Sequence, residues 1–170
     1  MKKFIMLGIA VALVLISLRS RAEEQPVSRE QLDEWGRQSA QFWAEKKYAD
    51  AIRIGRKAAD QGNAWAQNNV AWTLATCEDA GLRDGKLAVF YALKAVEQEP
   101  RNYAFVRTLA AAYARNGQFD EAIAAQKTAM NLFAEDRLFS GEMREKLRAD
   151  NPKKLELYGK HEAYVDAREE

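Results

Sequence analysis

Three short segments of this chain repeat one pattern, and that repetition limits its folds more than anything else in the sequence. Ala51-Ile52 is followed by Ala58, Ala88-Val89 by Ala95, and Ala122-Ile123 by Ala129. Each segment therefore reads Ala-[Ile/Val]-x5-Ala. Two turns of an α-helix take about seven residues, so both alanines of a pair fall on one face, where a neighbouring helix can approach closely. Tyr48 and Phe119 stand three positions before the first alanine in two of the segments.

Each segment is preceded by an amphipathic stretch: Leu32 to Glu45, Trp65 to Thr76 and Tyr103 to Arg115. The units are helical hairpins. Gly62, Gly85 and Gly117 mark breaks, Pro100 follows a helix end, and Asp84 is placed to cap a helix start. Ser28 and Gln31 form a capping-box pattern, with Val27 able to staple onto Leu32. No segment after the first twenty residues reads as a strand, and 48% hydrophobic residues suffice for one buried core.

These spacings resemble the tetratricopeptide repeat. The third unit carries the likeness best, through Val106, Leu109, Ala110, Tyr113, Gly117, Phe119, Ala122, Ala129 and Leu132, with Ala134 where the family closes on proline. The first unit fits through Trp35, Ser39, Phe42, Tyr48, Ala51 and Ala58. The middle unit keeps Ala71, Ala88, Ala95 and Pro100 but has about five extra residues in its turn, within Cys77 to Gly85. Lys57 to Asn63 is similar to the related Sel1-like repeat. The resemblance implies an all-α right-handed α-α superhelix, a solenoid of about three hairpins (residues 32–63, 64–102 and 103–136) closed by capping helices over 137–158. Arg137 to Ala149 reads as a first cap through Leu138, Phe139, Met143 and Leu147. Asn151-Pro152 starts a second, shorter one, and 159–170 reads as a charged tail.

The amino-terminal segment has a different character. Lys2 and Lys3 precede an apolar run from Phe4 to Leu18, followed by the small-x-small pattern Ser20-Arg21-Ala22. That is the form of a secretory signal peptide over 1–22, with 23–30 as a lead-in. The run would span about 22 Å as a helix, short of a roughly 30 Å hydrocarbon core, which favours cleavage over a lasting anchor. Arg19 and Arg21 argue for the alternative, an uncleaved membrane tether through residues 4–18. Both readings place the remainder outside the cytoplasm, in the periplasm or cell envelope. No cysteine follows the run to accept a lipid.

Several functions are disfavoured. Removing residues 1–22 takes four of the 26 basic residues and none of the 25 acidic ones, leaving the rest slightly acidic. No basic block remains for nucleic acid or an anionic membrane. The single histidine, His161, and single cysteine, Cys77, cannot make a metal set, and Cys77 reads as a small buried apolar side chain. The acidic pairs at 23–24, 78–79 and 169–170 match no calcium loop, and nothing near Gly81 and Gly85 resembles a phosphate-binding turn. The expectation is a non-enzymatic chain with no catalytic residue, metal or small-molecule cofactor.

Stacked hairpins place their first helices on a concave face. In the register the resemblance implies, Ala40 and Trp43, then Asn68, Asn69 and Trp72, then Arg107, Ala111 and Arg115 face that groove. Tryptophans offer apolar area, asparagines can pair with a peptide backbone, and arginines can meet a carboxylate. Trp43, Asn68, Asn69, Trp72, Arg107 and Arg115 are the candidate partner-binding residues, with gap-filling between hairpins as the competing role of the two tryptophans. The family's clamp for a carboxyl terminus is not expected, since Asn69 fits one position but Gly36, Ala40, Ala104 and Thr108 hold others. The function expected is a protein-binding scaffold for a peptide or protein partner. The alternative is a self-associating structural envelope protein, a homo-oligomer.

Overall fold

The computed structural model describes residues 26–135 and 141–166. The signal-like segment, Leu138 and Phe139 of the expected first cap, and the last four residues lie outside them. Within the described residues there are seven α-helices and no strands: α1 Arg29–Ala44, α2 Tyr48–Ala59, α3 Ala64–Thr76, α4 Gly85–Gln98, α5 Tyr103–Arg115, α6 Phe119–Glu135 and α7 Gly141–Gly159. They pack in consecutive pairs as an all-helical repeat solenoid. The helix α3 lies against α1 and α5 as well as its sequence neighbours, so the first helix of each hairpin forms an inner layer.

The repeated alanines account for the pairing. Ala51, Ala58, Ala88, Ala95, Ala122 and Ala129 are all essentially inaccessible, letting helix backbones approach to a separation that longer side chains would forbid. Gly55 extends the same surface, since a methyl there would meet Ser39 Oγ at 2.6 Å and Val70 Cγ2 at 2.7 Å. Two polar side chains buried at these crossings are bonded: Ser39 Oγ donates to Ala51 O at 2.8 Å, and Gln67 Nε2 to Ala59 O at 3.1 Å.

The helix boundaries follow local chemistry. Ser28 Oγ accepts from Gln31 N and Asp84 Oδ1 from Leu87 N, as the sequence predicts, and Asn63 and Asn102 cap α3 and α5 in the same way. Gly62 and Gly117 adopt φ of +90° and +79° just past helix ends, the left-handed conformation that glycine tolerates. The longer middle turn, residues 77–84, contains a short 3-10 segment at Ala80–Leu82. It buries Cys77, whose Sγ donates to Asp79 O at 3.4 Å. Burial raises the thiol's pKa, which leaves it a packing residue.

The carboxy-terminal part departs from expectation. Instead of a new helix at Asn151-Pro152, α7 runs through Pro152 without a break. Proline removes one helical hydrogen bond and crowds the preceding turn. Tertiary bonds hold the backbone helical here: Tyr103 Oη donates to Asn151 Oδ1 at 3.0 Å, and Gln126 Nε2 to the same atom at 3.2 Å. Leu147 packs with Tyr103, Val106 and Phe133, and Tyr158 with Ala110, Ala114 and Ala122, so α7 covers the last hairpin. The Tyr158 hydroxyl is buried and finds no hydrogen-bond partner among the described residues. Tyr158→Phe is therefore expected to raise stability by about 1 kcal/mol, because it discards an unsatisfied polar group at almost constant shape. A lowered urea midpoint in Tyr158→Phe would contradict this.

Candidate functional site

The inner layer frames a groove of about 870 Å³. Its α1 wall is Ser39, Ala40 and Trp43; α3 supplies Asn68, Asn69, Trp72 and Thr73; α5 supplies Arg107 and Thr108. Helical periodicity explains the set: 39, 40 and 43, then 68, 69, 72 and 73, each occupy one face of a helix. The opposite wall comes from α7, through Met143, Lys146, Leu147, Asp150 and Lys154, again one stripe at three- and four-residue steps.

Trp72 is at the centre. The Arg107 guanidinium lies over its ring at 4.4 Å and 5.8 Å from the Tyr103 ring, and Lys154 Nζ lies 5.8 Å from the Trp72 centroid. Lys154 is almost wholly buried, at 1% exposure. Burial, and then the neighbouring Arg107 charge, lower its ammonium pKa to about 8 against the opposing pull of Asp150 and Asp166. No carboxylate among the described residues lies within ion-pair distance of Lys154 or Arg107. Asn68 Oδ1 and Arg107 Nε are buried and without hydrogen-bond partners among the described residues.

Of the six candidate residues, the fold brings Trp43, Asn68, Asn69, Trp72 and Arg107 into one groove, with Ala40 beside them. Ala111 is instead buried at 2% exposure. Arg115 does not line the groove. Its Nε donates to Ala75 O at 2.7 Å, since the end of α3 offers carbonyls that no helical N–H reaches, and its Nη2 donates to Tyr164 O at 3.0 Å in the segment after α7. Trp72 also packs on the core cluster, so wall and filler are roles it combines.

Sequence reasoning missed Lys154, Tyr164 and Asp166. The signal for α7 was present in the spacing of Met143, Leu147, Asp150 and Lys154, but a lysine at the last position gave no hint of burial. Tyr164 and Val165 were the apolar clue within a charged tail.

The ionisable side chains lining the groove are Arg107, Lys146, Asp150, Lys154, Tyr164 and Asp166, with no histidine or cysteine among them. Cys77 is buried away from the groove, and His161 stacks on Phe119 with centroids 4.9 Å apart. Groups of three or more His, Cys, Asp or Glu that could hold a metal ion are absent among the described residues. The family model described as Tetratricopeptide repeat matches residues 91–124, from within α4 across α5 into α6. That is one 34-residue period of the family. No curated protein matches the chain.

Proposed function

Taking this chain as a tetratricopeptide-type repeat protein, a class typically non-catalytic and engaged in protein–protein interaction, we propose that it is a scaffold binding an extended polypeptide in the inner groove. We place it outside the cytoplasm, in the periplasm or cell envelope. The observation that carries the binding role is the buried pair Asn68 Oδ1 and Arg107 Nε, unpaired beside Trp43 and Trp72. Buried polar atoms are rarely left unbonded, and a peptide backbone or side chain supplies what these lack. Aromatic walls give the apolar contact that dominates such interfaces. The extracytoplasmic placement rests on Lys2 and Lys3 ahead of the apolar run Phe4 to Leu18. Among the described residues no helix is long and apolar enough to cross a membrane.

The test is affinity capture from envelope extracts under mild crosslinking, with the native chain beside the Trp72→Ala, Arg107→Ala double variant. Each truncation at a central anchor costs about 2 kcal/mol of binding, so the variant should lose its specific partner. Helicity and melting are followed in parallel, because Trp72 also touches the core. Partner capture undiminished in a folded double variant would remove the groove from the function. Crosslinks confined to copies of the chain itself would favour the structural alternative.

A further inference from the structure

The chain after α7 turns back and enters the groove. Lys160 N donates to Leu157 O at 2.9 Å, His161 N to Tyr158 O at 3.0 Å and Glu162 N to Leu157 O at 2.9 Å, closing the helix. His161 takes φ of +60°, and its ring stacks on Phe119 at an interplanar angle of 11°. Residues 162–166 then run without regular structure along the end of α3, with Tyr164 and Asp166 lining the groove.

What holds them is divided between main chain and side chain. Asp166 N donates to Thr76 O at 2.8 Å and Arg115 Nη2 to Tyr164 O at 3.0 Å, contacts that any peptide could make. The selective contacts come from two side chains of the tail, Asp166 and Tyr164. Trp72 Nε1 donates to Asp166 Oδ2 at 3.3 Å, and the Tyr164 ring meets the Trp72 ring at 6.1 Å with Lys154 Nζ 4.4 Å over its face.

We propose that Ala163 to Asp166 is a built-in ligand of this groove. The external ligand is then an extended polypeptide segment of the same chemistry, an aromatic ring with a carboxylate two positions later. The inference rests on the groove-binding reading and deepens it. Charge carries the choice of ligand. Arg107 on the α5 wall and Lys146 and Lys154 on the α7 wall outnumber Asp150, and Asp166 enters without pairing with Arg107 or Lys154. A partner whose carboxylate reaches those two cations forms the charge-assisted bonds the tail leaves unmade, and so displaces it. Until displaced, the tethered tail competes at a high effective concentration, and apparent affinity falls by the fraction of chains with an open groove.

The test uses a dye-labelled peptide with the sequence of residues 162–170, Glu-Ala-Tyr-Val-Asp-Ala-Arg-Glu-Glu. It is titrated by fluorescence anisotropy into the native full-length chain and into a full-length Tyr164→Ala, Asp166→Ala variant whose tail is released. The released variant should bind the peptide at least about tenfold more tightly than the native chain, the ratio expected when the tail closes nine grooves in ten. A peptide with both the tyrosine and the aspartate replaced by alanine should not bind. If the double variant melts early, Asp166→Asn replaces it and should move affinity in the same direction. Equal affinity for both proteins, or no binding to a folded released variant, overturns the proposal. So does a native mass that doubles with concentration and is restored to monomer by tail release, which would put the tail of a second copy in the groove. Undiminished partner capture alongside failed peptide binding would remove the built-in ligand and leave the groove reading standing.

Discussion

Lys154→Met is expected to raise the unfolding free energy by about 3 kcal/mol at pH 7. The folded chain holds this ammonium almost out of water with no carboxylate paired to it, and its pKa is lowered to about 8. In the unfolded chain lysine titrates near 10.4, so between those values the unfolded state binds more protons and stability rises with pH. Below about pH 8 both states are protonated and the penalty is fully present. Above about pH 10 a second effect enters, because burial pushes Tyr164 up to about 12 and Tyr158 higher still. Those phenols ionise first in the unfolded chain, and stability falls again. Urea unfolding at pH 7, 8, 9 and 10 should show the methionine variant starting higher and its lead over the native chain shrinking as pH rises, while the buried Cys77 thiol, whose raised pKa lets it ionise first in the unfolded chain, lowers both proteins alike. A destabilised variant, or a lead that does not shrink, would mean that Lys154 is not the group responsible. The more stable variant should also bind acidic peptides less well, since the buried charge is what the groove offers them.

Gly85→Ala is expected to cost about 3 kcal/mol, roughly 10 °C in melting temperature. Gly85 opens α4 directly after its capping Asp84, and its α-carbon faces the end of α5. A methyl there would lie 2.6 Å from Asn116 N and 2.7 Å from Arg115 C and O. All three are backbone atoms, so no side chain can swing aside, and the second and third hairpins must separate. Arg115 moves with them and takes its bonds to Ala75 O and Tyr164 O along. The variant should therefore also bind the tail peptide in trans more readily than the native chain. Melting curves that overlay would show that the hairpins yield without cost.

The hairpins were legible because what builds them is local. Alanines seven apart, a capping aspartate at Asp84 and a turn glycine at Gly117 act within a few residues of themselves, and the helices fall where those signals put them. The inner groove was readable in part for the same reason, since one helix face follows from one register. Arg115 escaped that logic because it sits in the last turn of α5, where a long side chain can reach the carbonyls ending α3. Pro152 carried a local stop signal, overruled by bonds from Tyr103 and Gln126, residues far away in sequence. Lys154 and Asp166 belong to the site only once α7 has been laid over α5 and α6, and no local pattern announces such a contact.

The hydrogen bond from Trp72 to Asp166 spans 94 residues of chain. Arrays of helix hairpins touch only their neighbours, so they fold fast from any point and fray independently from either end. A bond between the second hairpin and the tail closes a ring over that linear array, and it can form only once the hairpins and α7 have stacked and brought Asp166 near Trp72. The hairpins should thus assemble first and the closure come last. The same order reversed makes the Asp166 amide, bonded to Thr76 O, exchange with solvent before those at the centre of α3. The groove's opening would then have its own clock, set by the detachment of one short segment while the solenoid stays folded.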